Sequence, residues 1–206
     1  MRDDITLRQF AETISDPTRE SSIDSSAALV GSIAAALISG VCGGALDSCK
    51  SEKAEEELTG IRDRALSLRK DLLALVEHGV QAQEAVAASR RAARDGSLGE
   101  MERLRALLFA SEVPLRTAES CHALLNLSLR ALGRAGVKHI AEIGTAAAMA
   151  FAGVVGGIVA ARSVLARIPS GSGIGAEVTR KRAERIFREA EAIRTQIIDR
   201  VRQHLP

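Results

Sequence analysis

Three side chains that can hold a charge or move a proton stand close together in the sequence: Lys138, His139 and Glu142. Histidine titrates near neutral pH and can transfer protons. Lys138 and Glu142 are four residues apart and share one helix face, and Glu142 falls near a helix start, where a carboxylate is favoured. The group predicts a catalytic site for acid–base chemistry. A capped helix start with a surface ion pair is the structural alternative.

A second set of polar residues borders two apolar segments. Asp24 and Ser25 stand at the start of the first segment, and Arg162 follows the second. Amides at a helix start and a guanidinium group both bind anions, so we predict ligand binding by these three residues. Helix capping and complementation of the helix dipole are the alternatives. Neither His78 nor His122 has a second ligand at metal-binding spacing, so no metal site is predicted.

The two apolar segments, residues 25–46 and 143–161, contain no charge and are rich in alanine and glycine. Small residues recur at helical spacing, as at Gly153 and Gly157, so a second backbone can approach closely. We call them the smooth helices. Both are long enough to span a bilayer. Strongly inserting residues are nevertheless a minority and no Trp or Tyr is present, which favours burial inside a soluble protein.

The remaining segments have apolar residues at steps of three and four, which is typical of amphipathic helices. Pro114 is expected to separate two of them. No segment has the pattern of a strand. The sequence therefore predicts one all-α domain over residues 1–206, a helical bundle in which amphipathic helices surround two buried Ala/Gly-rich helices. A homodimer is expected to cover both smooth helices. The helices around them are predicted at residues 4–15, 51–94, 98–108, 113–132 and 177–202.

Composition excludes several classes of protein. The 206 residues include 28 basic and 26 acidic side chains, which gives a net charge of +2, and aromatic residues that could stack on bases are scarce. We therefore expect no nucleic-acid partner. Three cysteines are too few for a disulfide framework. The first ten residues lack the apolar core of a signal peptide, which predicts a cytoplasmic protein.

Particular stretches resemble the cyclodeaminase/cyclohydrolase family, which includes the C-terminal domain of formiminotransferase-cyclodeaminase and methenyltetrahydrofolate cyclohydrolase. Val113-Pro114-Leu115 before a helix is the most specific of these. The others are Leu7-Arg8-Gln9-Phe10, the alanine-rich residues 27–41, the long helix at 55–75, Glu112 and the segment opened by Gly144. The resemblance implies an all-helical dimer that acts on a tetrahydrofolate derivative or related pterin. It implies no metal and no tightly bound cofactor.

The resemblance also implies what the site residues would do. Closing or opening a methenyl ring needs a group that handles ammonia or water and a charge that steadies a cationic carbon, and Glu142 fits both needs. The folate would lie near the start of the first smooth helix. In place of the family's Pro-Thr-Pro-Gly-Gly-Gly-Ser run, however, residues 19–25 read RESSIDS. Two interpretations therefore stay open, a divergent folate-linked enzyme and a non-catalytic helical dimer that serves as a scaffold, subunit or binding module.

Overall fold

A computed structural model describes residues 6–16, 23–49, 51–95, 99–168 and 174–205. Within these ranges the regular structure is helical throughout, which confirms the all-α prediction. A short 3-10 turn, Val137–His139, leads directly into the fifth α-helix. The six α-helices are α1 (Leu7–Ser15), α2 (Ile23–Leu46), α3 (Glu52–Arg94), α4 (Glu100–Leu132), α5 (Ile140–Leu165) and α6 (Ile174–His204).

The two smooth helices, α2 and α5, lie side by side and run in opposite directions. At one end, a β-carbon added at Gly44 would lie 3.9 Å from Cε1 of His139. At the other end, one added at Gly156 would lie 2.8 Å from the β-carbon of Ala27. Helix α3 packs on α2, α6 packs on α5, and α4 contacts all four of these helices. The start of α5 therefore lies beside the end of α2.

The long helix α3 presents one apolar line to the core, at the steps of three and four that the sequence shows. Most of the predicted line is buried, but Val80 is 38% exposed. The last predicted position was therefore wrong, because the buried line of α3 continues instead through Ala82 and Val86, which are 6% and 1% exposed. The buried members are Leu58, Ile61, Ala65, Leu68, Leu72, Leu75 and Val76.

Helix α4 continues through Pro114, so the expected break between residues 108 and 113 was wrong. Proline has no backbone N–H, and its ring crowds the preceding turn, which costs about 3 kcal/mol inside a helix. Packing against α5 favours the continuous helix. A β-carbon at Gly157 would lie 2.6 Å from the carbonyl oxygen of Pro114, so the two backbones nearly touch at this point. Tertiary contact here outweighs the local preference of proline.

Neither smooth helix is wholly covered by its own chain. Both Ile23–Leu46 and the segment Val137–Leu165 are long and apolar enough to cross a membrane, and 44% and 50% of their most apolar windows are buried inside the protein. Ile33 on α2 and Val159 on α5 are 38% and 49% exposed. The expectation of two nearly wholly buried helices is therefore not met within one chain, and their complete burial stays a prediction that requires a partner.

Candidate functional site

The start of α5 is positioned by a glycine that adopts a left-handed backbone. Gly136 has φ of 83°, and it is the one residue with positive φ in the part of the chain that the structure describes. Residues with a β-carbon are strained in this conformation. The 3-10 turn that follows ends at His139, which occupies the N-cap position of α5 without a side-chain capping hydrogen bond, and Glu142 lies in the first turn of that helix. Gly136 therefore forms the turn from which the 3-10 segment and α5 begin.

His139 and Glu142 lie together, as the sequence predicted. The Nδ1 atom of His139 is 3.9 Å from Oε1 of Glu142, which is within ion-pair range but too long for a direct hydrogen bond. The side chain of His139 is 17% exposed and that of Glu142 is 48% exposed. The Nε2 atom of His139 is buried and has no hydrogen-bond partner among the described residues. One histidine nitrogen thus faces the interior, while the other faces a carboxylate that water can reach.

Lys138 does not join this pair. Its Nζ atom lies 3.4 Å from Oγ of Ser48, just beyond the end of α2. A cation at that place complements the negative end of the α2 dipole. The four-residue spacing had suggested that Lys138 and Glu142 share a helix face. Lys138 instead lies in the 3-10 turn before α5, where helical spacing does not apply.

A cleft of about 410 Å³ lies beside His139 and Glu142. It is bordered by the middle of α2 and by the start of α5. Its wall is apolar except for the two α5 side chains, and one of its members, Gly40, leaves α2 backbone uncovered. The lining residues are Ile33, Ala36, Leu37, Gly40, Val41, His139 and Glu142. The arrangement places one carboxylate and one imidazole at the edge of an apolar surface.

Asp24 and Ser25 lie at the other end of α2, against α3. Both side chains are buried, and a β-carbon added at Gly79 would lie 3.0 Å from Oδ2 of Asp24. The Ser25 amide donates to Oδ1 of Asp24 at 3.0 Å, and the Ser25 hydroxyl donates to the carbonyl of Val76 at 2.9 Å. Burial raises the pKa of the Asp24 carboxyl above its ordinary value, although hydrogen bonds oppose the shift. These contacts occupy both side chains inside the protein, so ligand binding by them stays a prediction.

Arg162 lies in the last turn of α5 and is exposed. Twenty residues of helix separate it from Glu142, which corresponds to about 30 Å at 1.5 Å per residue. The structure therefore divides the six predicted site residues between two ends of the α2–α5 pair. His139 and Glu142 share the cleft, whereas Asp24, Ser25 and Arg162 lie far from it. In the described ranges, no three His, Cys, Asp or Glu side chains come together in a way that could hold a metal ion.

The apolar wall of the cleft was not predicted as part of a site. In the structure Gly40 marks this wall, because nothing lies within 4 Å of a β-carbon built there. Most small residues on α2 and α5 serve close packing within the chain, so the sequence alone does not separate an exposed glycine from a packed one. The Gly79 contact with Asp24 was missed for the same reason.

Comparison with known proteins gives a consistent picture. The sequence profile described as formiminotransferase-cyclodeaminase matches residues 6–169. The chain is 25% identical over 158 residues to a methenyltetrahydrofolate cyclohydrolase of Methylorubrum extorquens, which covers 72% of this chain and 74% of that protein. The fold of this chain is similar to that of the crystal structure of formiminotetrahydrofolate cyclodeaminase from Thermotoga maritima, with a TM-score of 0.80 and 20% sequence identity. That similarity covers 98% of this chain and 96% of the other.

The profile match extends over most of the chain and includes α1 to α5. It contains the stretches on which the resemblance was based, from Leu7-Arg8-Gln9-Phe10 to the segment opened by Gly144. The resemblance drawn from those residues is thereby confirmed. This chain belongs to the formiminotransferase-cyclodeaminase family.

Proposed function

We propose that this chain is a folate-linked one-carbon enzyme of the methenyltetrahydrofolate cyclohydrolase or formiminotetrahydrofolate cyclodeaminase type. The observation that carries the proposal is the half-exposed Glu142 carboxylate in an apolar cleft beside His139. The names of the two relatives give the substrate class. A small-molecule tetrahydrofolate derivative, or a related pterin, is the expected ligand, and a cytoplasmic location fits such a substrate.

In the cyclohydrolase direction, water adds to the methenyl carbon, which carries a positive charge shared with two nitrogens. Glu142 is placed to steady this charge and to accept a proton from the attacking water. The bond from that carbon to N5 then breaks. One proton of the water ends on N5 and the other is released, so the product is the 10-formyl form. His139 Nδ1, 3.9 Å from Glu142, is placed to orient the carboxylate or to relay its proton.

In the cyclodeaminase direction, N10 attacks the carbon of the formimino group in its protonated, cationic form, and ammonia leaves. The departing nitrogen needs a proton, and N10 gives one up. A carboxyl group that can both accept and return a proton serves this exchange as well. The same pair of side chains therefore supports either reaction, and the choice between them depends on the substrate.

We also propose that a second copy of the chain covers the exposed side of the smooth helices. Helix α5 has no charged residue between Glu142 and Arg162, and several of the intervening residues are exposed. Exposed apolar faces of this kind are typical of protein interfaces. A partner on this side would also roof the cleft and remove water from the space beside Glu142. The exposed residues of the stretch are Thr145, Ala148, Ala152 and Val159.

A non-catalytic helical dimer is the second candidate. Two observations favour it: Lys138 reaches Ser48 instead of the cleft, and Asp24 is buried against Gly79.

An assay with methenyltetrahydrofolate separates the two candidates. The absorbance of the substrate is followed with wild type, Glu142→Gln and the control Glu177→Gln. The control alters an exposed acid in the first turn of α6. An enzyme gives faster decay than buffer with wild type and Glu177→Gln, and buffer-rate decay with Glu142→Gln. Release of ammonia from the formimino substrate tests the second reaction in the same three proteins. If all samples match buffer in both assays, the scaffold interpretation is favoured.

A further inference from the structure

We infer that the cleft selects the uncharged or cationic ring portion of a ligand, seated flat against Gly40, and leaves any anionic tail outside. This inference rests on the proposed function for the class of ligand, a pterin that carries a one-carbon unit. It goes further by stating which part of the ligand is recognised, by which wall, and with what sign of charge. Two independent properties of the lining carry it, its shape at Gly40 and its electrostatics at Glu142.

The shape of the wall provides a flat surface. Gly40 is exposed in the middle of α2, and a β-carbon there would meet no atom within 4 Å. Glycine inside a helix lowers helix stability relative to alanine, and no contact in the described chain accounts for this one. Ile33 and Leu37 precede it on the same side of α2 and also line the cleft. A planar ring can therefore lie on the bare backbone at Gly40, between aliphatic side chains.

The charge of the lining disfavours anions. Glu142 is the one charged residue that borders the cleft, and five of the other lining residues are apolar. Two cationic residues that precede His139 in the sequence bind other groups. The Nζ atom of Lys138 lies 3.4 Å from Oγ of Ser48, and Nη2 of Arg134 donates to Glu57 at 3.0 Å. A carboxylate tail near Glu142 would be repelled, whereas a ring with delocalised positive charge would be attracted.

The size of the cleft agrees with partial entry. Its volume of about 410 Å³ is near the lower end of the range of about 300–1,000 Å³ for sites that hold drug-sized ligands. A bicyclic ring with its one-carbon bridge fits this space. A long flexible tail with several carboxylates does not, and it must extend into solvent. We therefore expect that the affinity depends on the ring and hardly on the tail.

Two fragments of the ligand test this directly by calorimetry on the full chain. Pterin represents the ring, and p-aminobenzoylglutamate represents the anionic tail. Pterin should bind with an affinity that changes by less than about twofold between low and high salt, because no screened ion pair holds it. Binding of p-aminobenzoylglutamate should be at least about tenfold weaker than that of pterin. Tighter binding of the tail fragment, or equal binding of both, would overturn the inference.

Variants on α2 identify the wall. Gly40→Leu fills the space above the backbone and should weaken pterin binding by about tenfold or more. Gly43→Leu is the matched control, because a β-carbon at Gly43 also meets nothing within 4 Å but the residue does not line the cleft. Its pterin affinity should equal that of wild type. Circular dichroism and size-exclusion chromatography accompany both variants. Loss of pterin binding together with loss of the dimer would assign Gly40 to the subunit interface and overturn the inference.

Glu142→Gln provides a second variant that keeps the shape of the cleft. It should weaken binding of the cationic methenyl form by about tenfold while leaving neutral pterin within about twofold. Equal effects on both ligands would contradict the electrostatic part. The outcome is separable from that of the proposed function: pterin binding with the expected selectivity but without turnover supports the inference and rejects the enzyme. Turnover combined with tight binding of the tail fragment supports the enzyme and rejects the inference.

Discussion

The sulfur of Cys121 occupies the space into which Gly153 would project a β-carbon. A β-carbon built at Gly153 would lie 2.5 Å from Sγ of Cys121, and one built at Gly31 would lie at the same distance. Helices α2, α4 and α5 therefore meet at one thiol with a glycine on each side. Burial raises the pKa of that thiol to about 12, so Cys121 stays a neutral packing group. The close approach of α4 to both smooth helices therefore depends on glycine at these two positions.

Gly153→Ala should destabilise the protein by about 1–3 kcal/mol, because the added methyl group overpacks a site that has no free volume. Cys121→Ala removes the sulfur and should recover a large part of that loss when combined with Gly153→Ala. Urea denaturation of the single and double variants measures the coupling between the two positions. Gly43→Ala is the control and should be neutral or stabilising, by up to about 1 kcal/mol, because its β-carbon meets open space. Strictly additive effects of the two changes would contradict the direct contact.

Asp24→Asn should make stability less dependent on pH. Burial raises the pKa of Asp24 in the folded state above its ordinary value of 3.8. Between the unfolded and the folded pKa the native state holds more protons, so stability is lost as the pH rises through the raised value. Asparagine does not titrate, and the variant should therefore gain stability relative to wild type as the pH goes from about 4 to about 8.

Urea denaturation across that pH range measures the difference between Asp24→Asn and wild type. Asp63→Asn is the control, since Asp63 is a surface carboxylate, with a side chain 59% exposed, that pairs with Arg62. The gain relative to wild type should be absent in that variant. A variant that loses stability relative to wild type as the pH rises would reverse the assigned sign and refute the prediction.

Arg182→Lys should weaken the attachment of α6 to α4. The guanidinium group donates to both carboxylate oxygens of Glu119, at 2.6 and 2.7 Å, and to Glu112 at 3.2 Å. Lysine keeps the charge but cannot form the paired hydrogen bonds. The side chains are about one third exposed, so we expect a loss of only about 0.5–1 kcal/mol, smaller at high salt. Denaturation at two salt concentrations measures it, and a loss that grows with salt would contradict the assignment.

The purified protein should be soluble without detergent and should elute at about twice the chain mass of 21.8 kDa. The physical reason is the charge-free exposed side of α2 and α5, which a second copy would cover. Val159→Glu places a carboxylate on that side and should shift the protein towards the monomer. Val178→Glu changes a residue on α6 that is 56% exposed, against 49% for Val159, and should leave the dimer intact. Recovery of the wild type only from membranes with detergent would contradict this prediction.

Periodicity predicted most of the fold because burial in a helical bundle follows the same steps of three and four. The predicted helix at residues 51–94 and α3 differ by one residue at the start. Pro114 shows where sequence patterns are insufficient. The helix-breaking preference of proline predicted a break, but packing against Gly157 of α5 keeps α4 continuous. Val80 shows a different error, because an apolar residue at helical spacing was assigned to the buried line although that line passes through Ala82 and Val86.

The candidate site was predicted only in part. His139 and Glu142 meet because they are neighbours in the chain, and local spacing is sufficient to place them. Lys138 was misplaced because the sequence did not reveal the 3-10 turn that separates it from α5. The α2 wall lies about a hundred residues earlier in the chain, and its contribution depends on the antiparallel pairing of two similar helices. No pattern within either helix specifies that register.

The left-handed backbone of Gly136 limits how far the α5 side of the cleft can change in the course of evolution. Any other residue at that position must either strain the turn or let it relax, and relaxation would move His139 and Glu142 together. The outer positions of the α2 side, Ile33, Leu37 and Gly40, have no such restriction, because they lie on a regular helix and are not buried in the core. Homologues with altered ligand preference should therefore differ first at Ile33, Leu37 and Gly40, while the glycine turn before α5 stays constant.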